Sequence, residues 1–273
     1  MKKVTKPRVT REILDCLYDQ YNHRKFVHPD PLEFLYDYND IRDREIVGII
    51  ASSLAYGRVA QILKSVSKII DVMKPSPGEF VKRSSIKELI NCFRSFKHRF
   101  TTGKEIANLL FSLGLTIKEY SSLYDCFKSG YKNSDQSIIP ALSKFIEHLR
   151  KNGAGEKNSL IVMPDDGSAC KRHNLFLRWM IRKDDVDPGG WDGISPSKIL
   201  APLDVHMYRI CHRLGLTKRK QANMKTSIEI TEAFKKFNSD DPVRYDFALT
   251  RLGIRDDAKY ETVYKLCGIV ENG

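Results

Sequence analysis

Apolar residues recur along this chain every three to four positions, the pattern of helices that bury one face, and no convincing alternation of period two appears. Ile13, Leu14, Leu17 and Tyr21 line one side of a first helix from Thr10 to about Asn22, and Pro29–Asp30–Pro31 opens a short one through Tyr38. Asp40 to Tyr56 is more uniformly apolar (Ile46, Val47, Ile49, Ile50, Leu54), which predicts a buried helix stopped by Gly57. A second follows from Arg58 to Met73, ended by Lys74–Pro75, and Pro77–Gly78 turns the chain into shorter helices up to Phe93. Thr101 or Thr102 caps a helix through Tyr120, Ser121 or Ser122 caps the next to about Gly130, and another spans Gln136–Arg150. After a loop at 151–166, helices are expected at Lys171–Arg182, Asp204–Leu214, Thr226–Phe237 and Asp241–Leu252. The last has Pro242 at its first position and Gly253 at its end, the usual asymmetry of helix termini. Ser159–Met163 is the only strand-like run and is too short to imply a sheet. The pattern gives an all-α fold with no internal repeat.

Composition narrows the setting. A chain of 273 residues, 41% of them hydrophobic, can bury a large core in one domain or in two lobes with a cleft between them. No apolar run reaches the length of a membrane span and the first residues lack the apolar stretch of a signal peptide, so a soluble, cytoplasmic protein is expected. The net formal charge of +12 makes phosphate backbones a natural partner, although a merely basic surface is an equal alternative on charge alone. The six cysteines form no C-x-x-C and read as reduced thiols, and the seven histidines show no H-x-x-x-H pair. Nothing here calls for a metal or an organic cofactor.

Two residues stand out for chemistry. Lys171 follows the small-residue turn Gly167–Ser168–Ala169–Cys170 and opens an apolar helix; Asp204 follows Ala201–Pro202–Leu203 and opens another. Both lie at helix N-termini, where free backbone N–H groups and the dipole favour an anion and an uncharged, nucleophilic lysine. Aspartate is also a favoured N-cap, and the two roles are compatible.

The segments P-L-D-V-H-M-Y-R-I (Pro202–Ile210) and C-K-R-H-N-L-F-L-R (Cys170–Arg178) resemble the loop-helix and the hairpin's second helix of the helix-hairpin-helix DNA glycosylases, nearest to the 8-oxoguanine branches. Nearly the whole chain is similar to a bacterial family carrying the label DUF2400, through those runs and D-D-P-V-R-Y-D-F-A-L-T-R-L-G (Asp240–Gly253). The glycosylase likeness covers roughly residues 40–75 and 165–216. It implies a single helical unit over 1–273 with a barrel-like lobe at 40–182 carrying a degenerate hairpin, and a second lobe from 1–39 and 200–273. It implies a monomer that binds duplex DNA with a damaged base across the cleft and removes that base, an oxidised purine being the type case, with an accompanying lyase step left open. Lys171 would be the nucleophile and Asp204 its acid–base partner.

Other roles follow from the same likeness. Tyr56 or Arg58, beside Gly57, would fill the gap left by an extruded base, while a glycine C-cap over a packed aromatic is an equally good account. Gly167, Ser168 and Arg172 would hold phosphate, His206 would touch the substrate, and Lys218–Arg219 would either contact the backbone or form a solvated turn. Trp179, Trp191 and Phe247 are candidates to stack on the base, or core residues; Asp246 would pair with Arg178 or Arg251, or read the base. The chain departs from the glycosylase pattern in two places. Met163–Pro164–Asp165–Asp166–Gly167 replaces the glycine-rich hairpin, and an acidic insert, Lys183–Leu200, lengthens the step to Asp204. Both features favour the rival expectation, a non-catalytic nucleic-acid binder on the same scaffold; a helical protein-interaction scaffold is a third.

Overall fold

Most helices of this protein begin where a short polar side chain can take a free N–H group of the first turn. Thr10, Asp40, Ser76, Ser85, Thr102, Ser122, Asp204 and Asn223 all do so, in the computed structural model that describes residues 9–252 with Tyr264 and Cys267. The resulting order is α1 (Arg11–Tyr21), a 3-10 turn at Pro31–Asp37, α2 (Ile41–Ser53), α3 (Val59–Met73), α4 (Pro77–Arg83) and α5 (Ile86–Phe93). A hairpin of β1 (Lys97–His98) and β2 (Thr101–Thr102) leads into α6 (Gly103–Tyr120), α7 (Leu123–Gly130) and α8 (Ile139–Leu149). Then come α9 (Lys171–Ile181), α10 (Val205–Arg213), α11 (Met224–Lys235) and α12 (Asp246–Arg251). Among the described residues the fold is all-α apart from that hairpin and an isolated bridge between Ser168 and Asn223.

The chain is organised around α2. Every residue from Glu45 to Ser53 is buried, and the helix packs against α9, α4 and the Pro31–Asp37 turn. On the other side α6 is clasped by α5 and α4, closely enough that glycine is required at two crossings. A Cβ on Gly103 would sit 1.6 Å from the Phe93 carbonyl oxygen, and one on Gly114 would sit 2.2 Å from that of Val81. One apolar cluster runs through the described residues from Leu14 to Cys267, taking in Trp179 and Trp191.

The acidic insert is a strap. Gly189 N–H donates to Trp179 O at 3.0 Å and Trp191 N–H to Met180 O at 2.8 Å, so the segment runs back along the end of α9. Its carboxylates neutralise arginines of that helix: Asp187 pairs with both Arg178 (3.1 Å) and Arg182, and Asp184 pairs with Arg182 (2.7 Å). Trp191 packs among Phe127, Phe176 and Tyr124, and its indole N–H donates to Glu45 at 2.7 Å. Glu45 also accepts from Leu123 N–H (3.0 Å) and Tyr124 N–H (2.9 Å), thereby capping α7 from a distance. Burial pushes its carboxyl up to about 7 against the pull of those three donors.

Several boundaries differ from the sequence expectation, each for a local reason. The strands fall at 97–102, and Ser159–Met163 is irregular because Asn158 and Arg150 satisfy its backbone in place of a second strand. Asn223 takes the capping role expected near Thr226, so α11 starts at Met224. Residues 241–245 form turns ahead of α12, and Gly253 lies outside the described residues, as do the outermost parts of the second expected lobe. No helix among the described residues is long and apolar enough to cross a membrane, and all six cysteines are free thiols.

Candidate functional site

The helices α9 and α10 start side by side, and their first turns define a cavity. Cys170, just before α9, is held in the left-handed region at φ +47°, with its N–H bonded to Ser168 Oγ at 3.2 Å. This tight turn leaves Lys171 as the first helical residue. Its Nζ lies 3.3 Å from Asp204 Oδ2 and 3.4 Å from the carbonyl of Ala55, just past the end of α2. The other carboxylate oxygen of Asp204, Oδ1, accepts from Met207 N–H at 2.8 Å and caps α10. One side chain thus serves the scaffold with one oxygen and the lysine with the other. Both members stay open to the cavity, with side-chain exposures of 31% and 25%.

The cavity holds about 590 Å³, the size of a small-molecule or single-base site. Tyr56, Ser168, Lys171, Arg172, Asp204 and His206 contribute to its wall, and Arg178, Asp246, Phe247 and Arg251 close its far side. Arg172 is spent on structure: its guanidinium donates to Ser53 O (3.0 Å) and Ser159 O (2.5 Å) and faces the Tyr56 ring at 5.4 Å. Burial lowers the pKa of that guanidinium from its usual value. His173, one residue further into α9, accepts through Nε2 from Val162 N–H at 3.1 Å and so carries its proton on Nδ1. Burial pushes its pKa down to about 3, with Arg172 adding to the effect. It is a neutral support beneath the lysine.

Asp246 pairs with Arg178, one of the two partners expected, while Arg251 pairs with Asp30 at 2.7 Å. Burial pushes the Asp246 carboxyl up to about 6 despite Arg178, and its Oδ1 has no hydrogen-bond partner. The ring of Phe247 has two guanidinium groups over it, that of Arg178 at 5.9 Å and that of Arg251 at 4.5 Å. Among the described residues, no three His, Cys, Asp or Glu side chains gather as metal ligands would.

The structure therefore brings together Lys171, Asp204, Tyr56, Ser168, Arg172, His206, Asp246 and Phe247. It leaves others outside the cavity. Trp179 and Trp191 are each 1% exposed within the apolar core, the first on the inner face of α9 and the second under the strap. Gly167 supplies the left-handed turn (φ +77°) before Ser168 but does not line the wall. Beside it Asp166 accepts from Met163 N–H (3.2 Å) and approaches Arg150 (3.5 Å), so the turn at Met163–Gly167 is held by its own side chains. Arg58 precedes α3 at the surface. Lys218 and Arg219 lie on the turn before α11, where Arg219 pairs with Glu229 at 2.6 Å.

One feature of the surround carried no periodic signal in the sequence. The Tyr56 hydroxyl donates to His98 O (2.9 Å) and shares a hydrogen bond with Thr101 Oγ1 (2.7 Å), which ties the cavity wall to the β1–β2 hairpin. Phe100, in the turn of that hairpin, stacks on Tyr56 with centroids 5.5 Å apart and an 8° angle between the rings. No curated protein and no solved structure matches this chain. The family described as a protein of unknown function, DUF2400, matches residues 30–255, a span that takes in the whole of this cavity except Pro29, and the chain belongs to that family.

Proposed function

We propose that this protein is a DNA glycosylase of the lysine-nucleophile type, built on a helix-hairpin-helix-like scaffold of two helical lobes with DNA bound across the cleft between them. The observation that supports it is the Lys171 Nζ to Asp204 Oδ2 contact of 3.3 Å, made at two adjacent helix starts inside a cavity large enough for one extruded base. Asp204 takes a proton from the lysine ammonium. The freed Nζ lone pair attacks C1′ of the deoxyribose, the N-glycosidic bond breaks, and the base leaves with that electron pair and is then protonated. Ring opening gives a Schiff base between Nζ and C1′. Loss of a C2′ proton, with departure of the 3′ phosphate, nicks the strand, and water hydrolyses the remaining imine.

Borohydride trapping tests this against duplexes bearing 8-oxoguanine, uracil, an oxidised pyrimidine, an alkylated purine or an abasic site. A covalent adduct is expected with wild type and not with Lys171→Gln, and the lesion giving most adduct names the substrate. Trapping confined to the abasic site would leave only the lyase step. Salt-dependent binding without an adduct, and without alkali-labile sites, would replace the enzyme with a non-catalytic binder. In that case the Lys171–Asp204 pair is a structural ion pair holding α9 to α10.

A further inference from the structure

We infer that Phe100 stacks on a nucleobase of the opened duplex at the mouth of the cavity, an assignment that rests on the glycosylase reading above. Phe100 is 70% exposed, against 55% for Val205, 41% for Val72 and 40% for Ile90, the other exposed large apolar side chains among the described residues. One exposed apolar side chain is ordinary on a protein surface, and it is the mounting and surroundings of this ring that set it apart.

Its mounting is rigid. Arg99, beside it in the turn, is at φ +53°, a strained conformation for a residue with a side chain, and the hairpin is only two residues per strand. Such a hairpin would not persist alone. It is held by the Tyr56 hydroxyl, and by the buried His98 ring, which bonds to Ser65 Oγ (2.9 Å) and Tyr56 O (3.1 Å). The stacked Tyr56 ring then fixes the plane of Phe100. Arg172 lies near the Tyr56 ring at the cavity wall, and Phe100 stacks on that ring at the surface. A base laid against Phe100 extends that stack.

Charge points to nucleic acid as the occupant. Residues 54–70 and 94–104 include Arg58, Arg94, Lys97, Arg99 and Lys104, and the carboxylate that follows them, Glu105, is taken up by Thr102 and Ser159. Arg99 lies over Phe100 (5.4 Å) and against Gly57, next to Arg58. An exposed aromatic ring with a guanidinium over it, on segments rich in lysine and arginine, has the composition of a base-stacking site, in which the cations hold phosphates and the ring takes a base face.

The test uses a duplex with a stable tetrahydrofuran abasic site opposite 2-aminopurine, titrated with wild type, Phe100→Ala and Phe100→Trp. Phe100→Ala should weaken binding about 5- to 150-fold, the range expected for one lost base–aromatic stack. It should also abolish the 2-aminopurine fluorescence change while leaving the salt slope unaltered, and Phe100→Trp should restore both. Equal affinity for wild type and Phe100→Ala would overturn the assignment while leaving the Lys171 trapping result untouched. A self-association seen by sedimentation in wild type and lost in Phe100→Ala, with DNA binding unchanged, would overturn it in favour of a second copy of this chain. If wild type binds none of these duplexes, the glycosylase reading and the stacking role fall together.

Discussion

Asp204 gives the sharpest separation of scaffold from chemistry, because its two oxygens do different work. In Asp204→Asn the amide oxygen can keep the 2.8 Å bond from Met207 N–H, since asparagine caps as well as aspartate. In Asp204→Ala that bond is lost, at a cost of about 1 kcal/mol. The second contact, to Lys171, is partly exposed on both sides and contributes under about 1 kcal/mol to stability. Asp204→Asn should therefore melt within about 2 °C of wild type, and Asp204→Ala roughly 2–4 °C below Asp204→Asn. Both variants lose the proton acceptor 3.3 Å from Nζ, so both should form borohydride adduct about 10²- to 10⁴-fold more slowly. Thermal melts by circular dichroism and single-turnover trapping read the two effects independently. If Asp204→Asn melts as low as Asp204→Ala, Oδ1 is not the cap. If Asp204→Asn forms adduct at the wild-type rate, the carboxylate takes no part in the reaction.

Three further outcomes follow from the buried groups. Glu45, pushed up to about 7 from 4.5, gives stability that is fully present below pH 4.5 and is lost as pH rises through 7, by up to about 3 kcal/mol. Glu45→Gln should flatten that slope in urea titrations at pH 5 and 8, yet cost about 1–3 kcal/mol at pH 5 because its amide would face a backbone donor of α7; an unchanged slope would refute it. His173, pushed down to about 3 from 6.5, does the reverse: its contribution is present above pH 6.5 and is lost as pH falls through 3. His173→Gln, which keeps an acceptor for Val162 N–H, should move the acid-unfolding midpoint to lower pH by circular dichroism, and an unmoved midpoint counts against the assignment. Gly103→Ala places a carbon 1.6 Å from the Phe93 carbonyl oxygen and should cost about 3 kcal/mol or more in chemical denaturation; a loss under about 1 kcal/mol would mean that α5 and α6 separate easily.

What could be read in the sequence was what is decided locally. Thr102, Ser122 and Asp204 announce their helices because a cap bonds a backbone group three residues away, and Lys171 was placed at the start of α9 by the small-residue turn that feeds an apolar run. The β1–β2 hairpin escaped because two-residue strands carry no period, and with it escaped Phe100, whose importance depends on where its turn lands. Trp179 and Trp191 suit a base pocket or a core equally by type. What placed Trp191 in the core is a partner 146 residues away, Glu45, and the return of the strap along α9. Asp246 plainly needed a cation, but Arg178 and Arg251 could be told apart only once Asp30 had claimed the latter. The lining of the cavity comes from segments as distant as Tyr56 and Phe247, and no local pattern joins them.

The buried arginines of α9 carry a consequence for how the protein is made. Arg178 and Arg182 point into the interior, and the carboxylates that neutralise them, Asp187, Asp241 and Asp246, all come later in the chain. A ribosome delivers the cations first. Until Asp184 and Asp187 of the strap emerge, closing the interior would bury two uncompensated guanidiniums, at a cost of several kcal/mol. The nascent chain should therefore hold α9 open until the strap has followed it, and a product terminated before residue 184 should be met by chaperones and proteases as an unfinished chain.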